Sequence, residues 1–133
     1  MGSKSDYLEN KVLDHVLGGG DYTRPATVYV ALFTAAPSDA GGGTEVSGNN
    51  YARASVTNNA TNWPAASGGA KSNGADITFN VPSGSWGACT HFGIFDASTA
   101  GNLMYWGALG STQTPTTSNT VKFATGDIDI TED

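Results

Sequence analysis

The sequence predicts a mainly β protein: an antiparallel β-sandwich of about seven strands, jelly-roll or immunoglobulin-like, behind one N-terminal α-helix. Three observations lead there. Only 14% of the 133 residues are charged, and Gly, Ser, Thr, Asn and Ala fill the space between apolar runs, a composition of tight turns and strands. Several short segments alternate apolar and polar residues with period two, as half-buried strands do. Helical spacing appears ahead of Gly18-Gly19-Gly20, where Leu8, Val12, Leu13, Val16 and Leu17 form one apolar stripe.

That helix is expected over 6–17. Asp6 is placed to cap it, Glu9 completes a capping box three residues on, and Gly18 is free to take a left-handed conformation at its end. Some three turns of helix are marginal alone in water, so the stripe must dock, on an end or open edge of the sheets or on a neighbouring subunit. Thr27 to Thr34 is the most apolar run, rich in β-branched and aromatic residues, and reads as a central strand covered on both faces. Gly43 to Val56 reads as a fixed loop that turns at Gly48-Asn49 and enters a strand, with Ala52, Ala54 and Val56 on one side and Tyr51, Arg53, Ser55 and Thr57 on the other. Glu45 and Arg53, the opposite charges of this neighbourhood, can pin loop to strand; exposed, such a pair contributes only about 0–1 kcal/mol.

Asn58 to Gly74 is too long to be an idle connection, and Trp63 is its natural anchor, either tucked onto the domain or seated in a partner's pocket. Ile77, Phe79 and Val81 alternate inward along the next strand. His91 to Phe95 and Leu103 to Leu109 make a hairpin, with Phe92 and Ile94 facing opposite to His91, Gly93 and Phe95. After a polar loop at Thr112–Asn119, the last strands are Thr120–Phe123 and Asp127–Thr131, the latter with Ile128 and Ile130 inward. The whole of 1–133 is expected to form one domain, a length that buries about two-thirds of its unfolded surface.

No motif carries chemistry. Cys89 is the single cysteine, which excludes an intrachain disulfide and a multi-cysteine zinc site; with His91 it reads as a small buried thiol beside a hydrogen-bonded histidine. Asp127 and Asp129, about 7 Å apart on one strand face, read as solubilising charges on an outward face and not as a glycosidase pair. No catalytic, cofactor-binding or metal-binding residue is assigned, and no enzyme activity is expected. The formal net charge of −6, with six Lys and Arg in all, disfavours nucleic acid and anionic membranes as partners. No run of about 18 apolar residues and no apolar leader appears, so neither a membrane span nor classical secretion is expected.

Several segments, in this order, carry a resemblance: Leu13-Asp14-His15-Val16-Leu17-Gly18-Gly19, Tyr29 to Thr34, Gly43-Thr44-Glu45-Val46-Ser47-Gly48, Tyr51-Ala52-Arg53, Phe92 to Ala97, Gly101 to Gly107, and Gly126 to Ile130. From Tyr7 to Ile130 the chain resembles a family of small structural proteins of tailed bacteriophages, whose members are labelled tail-fibre or virion structural proteins. The resemblance implies a non-enzymatic virion protein, made in the host bacterial cytoplasm, homo-oligomeric as a trimer or dimer, and bound to phage structural proteins. Because the chain has no repeat, coiled coil or collagen-like shaft, its length favours a capsid decoration or cement protein on the major capsid protein; a tail, collar or fibre component is the alternative. A carbohydrate-binding module built on Trp63, Trp86, Tyr105 and Trp106 is a third reading. Expected interface residues are Leu8 and Val12 on the helix, Glu45, Asn49, Tyr51 and Arg53 on the loop and strand, and Trp63, with most external contacts from 6–17, 41–50 and 58–74.

Overall fold

A computed structural model describes residues 2–132. It is mainly β with one helix, as the composition and period-two segments require. The described residues form β1 (Gly2–Lys4), α1 (Asp6–Val16), β2 (Thr27–Ala35), β3 (Thr44–Glu45), β4 (Ala54–Thr57), β5 (Ala70–Ser72), β6 (Ile77–Thr78), β7 (Cys89–Phe95), β8 (Leu103–Gln113), β9 (Lys122–Phe123) and β10 (Asp129–Thr131). Eight strands make one sheet in the order β3-β2-β7-β8-β1-β10-β5, with β4 joining β2 as well; β6 and β9 make a separate pair. The sandwich is therefore lopsided. One large sheet packs its inner face on a two-stranded ribbon and on long loops.

The centre of the sheet is the antiparallel trio β2, β7 and β8, in which Val30 pairs with Ile94 and Ile94 with Tyr105. Val28, Val30, Leu32, Phe92, Ile94 and Met104 form its inner face, and Ile77, Phe79 and Trp86 lie across from them in the same cluster. Phe123 meets Phe92 edge to face at 6.0 Å, which seats the β6–β9 ribbon on the sheet. The outer face of the same trio is buried at its centre, by Ala31, Phe33 and Leu103, while Tyr29, His91, Phe95 and Trp106 around them are half-buried. A Cβ on Gly93 would stand 2.8 Å from Phe33 Cε2 and 2.9 Å from Leu103 Cδ1, so only glycine lets these side chains close over the strand. The continuous apolar run of β2 thus has its predicted cause, burial on both faces.

β1 enters the sheet between β8 and β10, antiparallel to the first and parallel to the second. Three residues are too few to show a period, and this strand has no counterpart in the sequence reading; the same is true of β3 and β5. Its placement changes the helix cap. Ser5, not Asp6, is the N-cap: its hydroxyl accepts from the Leu8 N–H at 3.4 Å and donates to the Leu103 carbonyl, while its own N–H donates to Met104 O at 2.8 Å. Asp6 instead falls in the first turn, where its charge suits the helix dipole. Of the predicted stripe, Leu8 is buried and Val12 packs on the core, but Leu13, Val16 and Leu17 are 58%, 68% and 74% exposed. The helix docks by its first half only.

Two further expectations shift. The strand predicted from Tyr51 begins at Ala54, with Ala54 and Val56 buried and Ala52 exposed, because the chain is still in a docked loop before that point. The strand predicted from Ile77 to Val81 is regular only at Ile77–Thr78, and Val81 is 54% exposed at the turn that follows.

The ribbon is clasped by Asp76. Its carboxylate accepts from the Thr125 N–H at 2.9 Å and from Lys122 Nζ at 3.2 Å. The Thr125 bond first, then the Lys122 bond and charge, hold its pKa below the ordinary 3.8. A depressed folded value means the clasp contributes above 3.8 and is lost as pH falls through the lower folded value. Asp76→Asn is expected to lower the melting temperature at neutral pH, and the gap from wild type should close on strong acidification. An offset that stays constant with pH would refute this role.

Candidate functional site

The segment from Thr44 to Thr57 is built on one edge of β2. β3 pairs with the end of that edge, Glu45 opposite Phe33, and β4 pairs with its start, Ala54 opposite Val30. Between them residues 46–53 leave the sheet and return, an Ω-like excursion. Leaving the sheet strips the Leu32 edge of a strand partner, and the loop repairs this locally. Val46 N–H donates to Leu32 O at 3.0 Å, and the Leu32 N–H donates to the Tyr51 hydroxyl at 3.1 Å.

The neck of the loop is an ion pair. Arg53 donates to both carboxylate oxygens of Glu45, Nε to Oε2 at 2.9 Å and Nη2 to Oε1 at 2.8 Å. Its Nη1 donates to the carbonyls of Ala97 at 2.8 Å and Ala100 at 2.9 Å, which ties the loop to the β7–β8 hairpin turn. The guanidinium lies 3.6 Å above the Phe95 ring, which itself stacks with Phe33. Every arm of this arginine is used, and its side chain is only 8% exposed, with Glu45 at 25%. The pair expected to pin loop to strand is a largely buried bidentate bridge. Tyr51 completes it, donating to Glu45 Oε2 at 2.7 Å; burial first, then the bonded carboxylate, push its hydroxyl far above its ordinary range. Tyr51→Phe is expected to cost about 1–3 kcal/mol in chemical denaturation, because it leaves the Leu32 N–H and one carboxylate lone pair unmatched. A value near zero would show that water satisfies both.

The tip is held as firmly. Gly48, Asn49 and Asn50 all have positive φ, at 76°, 50° and 67°, as the Gly-Asn turn foretells. The Asn49 amide donates to Ser85 O and the Asn50 amide to Val81 O, both at 2.8 Å, and the Trp86 indole donates to Asn49 O at 2.8 Å. Tyr51 meets Trp86 edge to face at 5.2 Å. Of the seven residues expected at an interface, Glu45, Asn49, Tyr51 and Arg53 come together in this one loop; Leu8, Val12 and Trp63 do not join it. Leu8 and Trp63 are buried in the subunit's own core.

Trp63 lies instead in the wall of a cavity of about 540 Å³, between the inner face of the sheet and residues 22–25 and 58–71. Leu8, Val28, Ile94, Met104 and Ile130 make its apolar floor, and Tyr22, Arg24, Lys71 and Glu132 stand around it. Burial first, then Glu132, raises the Tyr105 hydroxyl in this wall to about 12. The Trp63 Nε1–H is buried without a partner among the described residues. With Trp63 and Trp86 both enclosed, the glycan platform proposed from four aromatics loses two of them.

Nothing described here assembles a reaction centre. No group of three or more His, Cys, Asp or Glu among the described residues is placed to hold a metal. Cys89 is wholly buried and burial raises its thiol pKa, the opposite of what a nucleophile needs; His91 shares a hydrogen bond with Thr90 Oγ1, not with Cys89. Asp127 caps the Ala124 N–H and Asp129 accepts from Ser72 Oγ, so both carboxylates serve the turn and strand they occupy.

A family model described as Podophage GP4 fiber I protein gp80 matches residues 3–131. The chain belongs to this family. As a member of the fiber I family it is a phage structural protein, and its place is the virion. No curated protein matches the chain. The matched residues take in the helix, the whole loop of 46–53 and all of the cavity lining but Glu132. One residue they contain was missed in the sequence. Asn73, 2% exposed, donates to Ala75 O and Ala124 O and accepts from the Ile128 N–H, joining β5 to the turn before β10. A lone asparagine in a Ser-Asn-Gly stretch looks like an ordinary turn, and no local signal sets it apart.

Proposed function

We propose that this protein is a component of the phage tail fibre, serving as a folded binding and connecting unit and not as a catalyst. The single observation that carries this is the fiber I description of a family whose model spans 3–131. Capsid decoration was favoured on length, since the chain has no shaft of its own. That argument weakens because a fibre assembled from several proteins needs no shaft in each of them. The fold supports a mechanical role: a sheet buried on both faces carries a loop whose neck and tip are fixed by hydrogen bonds, so binding would cost little further ordering. Contacts to other phage structural proteins are assigned to the exposed parts of 6–17, 41–50 and 58–74, with Asn49 the exposed member of the loop set.

Labelling the protein in intact particles and imaging them by electron microscopy tests the assignment. Label confined to the tail, with adsorption to host cells lost when the protein is absent, is expected. Label spread over the head, with normal adsorption and earlier release of DNA on heating, would overturn it in favour of a cement role.

A further inference from the structure

Two surface features, the end of α1 and the cavity under Trp63, have matching chemistry. The second half of α1 leaves the body of the subunit with Leu13, Val16 and Leu17 exposed at i, i+3 and i+4, and Asp14 exposed among them. This end of a helix also carries the negative pole of its dipole and backbone carbonyls in need of donors. The cavity under Trp63 has an apolar floor and two cations, Arg24 and Lys71, beside Glu132, which pairs with Lys4. Its volume of about 540 Å³ gives room for several aliphatic side chains. Arg24 and Lys71 make no ion pair among the described residues, whereas Lys4, Arg53 and Lys122 each pair with an acid.

We propose that the cavity receives the C-terminal end of α1 from a second copy of this chain. Leu13, Val16 and Leu17 enter the apolar floor, Asp14 meets Arg24 and Lys71, and the helix-end acceptors face the cationic rim. Donor surface and receiving surface differ, so two copies can exchange helix ends about a two-fold axis, or one copy can insert into the next without reciprocity. Repetition of such a contact gives a ring if the rotation closes and a filament if it does not. The open edge of β5 is a poorer docking place. Ala70 already exchanges backbone hydrogen bonds with Ser67, which blunts that edge. The contact would form in a head or a tail protein alike, so its failure leaves the fibre reading untouched.

Sedimentation of the purified full chain over a range of concentrations tests the proposal, with two variants. Leu17→Glu spoils the inserted end, and Arg24→Glu combined with Lys71→Glu spoils the receiving rim. Wild type is expected to gain mass with concentration, and each variant to associate at least about tenfold more weakly while melting as wild type does. Mixing the two variants is the deciding measurement. Each retains the surface the other lacks, so the mixture is expected to form one-to-one pairs that grow no further. A wild-type chain that stays monomeric, a rim variant that associates like wild type, or a mixture that stays monomeric would overturn the proposal. The second of these results would indicate helix ends packing on each other.

Discussion

Arg53→Ala is expected to destabilise the fold by about 3 kcal/mol, toward the low end of the cost of breaking a buried ion pair because Glu45 keeps some contact with water. The substitution removes a bidentate bridge, two carbonyl bonds and a stacked face at once. Glu45 is then left beside Tyr51 with no cation, and the hairpin turn loses the tie to Ala97 and Ala100. Glu45→Gln alone should cost less, since an amide oxygen still accepts from the guanidinium. Comparing denaturation midpoints of the two single variants and the double variant gives the coupling between them. A loss below about 1 kcal/mol for Arg53→Ala would return the pair to the class of exposed salt bridges.

The second large effect is at Trp63. Trp63→Ala is expected to cost about 3–5 kcal/mol, the range for emptying a buried large aromatic site. It should therefore unfold a substantial fraction of the protein on mild heating, and not simply weaken a partner contact. Trp63→Phe separates packing from polarity. It keeps an aromatic ring and deletes a donor that has no partner, so its cost is expected to be far smaller than that of alanine. Equal losses in the two variants would mean that the indole N–H is satisfied by something the protein holds in solution.

The contrast between Trp63 and Arg53 shows what the sequence can and cannot disclose. The central strands were legible because β2, β7 and β8 are long enough to display a run or a period, and their facing residues fall where alternation puts them. Turn chemistry was equally readable at Gly48-Asn49, where positive φ demands those residues. The strands β1, β3 and β5 span two or three residues each, and no pattern exists at that length. Burial of Arg53 was not legible either. Its neighbours in sequence are alanines, and the carbonyls and ring that enclose it come from residues 95–100. Trp63 was singled out by type, correctly, but residue type does not say which molecule supplies the enclosing surface. Helix amphipathicity misled in the same way. The stripe is genuine, yet only its first half finds cover within the subunit.

The position of β1 has a consequence for the order in which the molecule can be made. Gly2 lies between Gly107 of β8 and Ile130 of β10, so this strand waits for partners synthesised more than a hundred residues later. β5 waits as well, since among the described strands it pairs with β10 alone. While the chain is still on the ribosome, β2, β4 and β7 can pair in sequence, but the β8 side of the sheet stays incomplete until β10 emerges. Such distant pairings close slowly, because the loop entropy must be lost before any contact compensates for it. The subunit therefore acquires its finished surface only once β10 has been made and has paired with β1 and β5, and a partner that binds that surface recognises chains folded through β10.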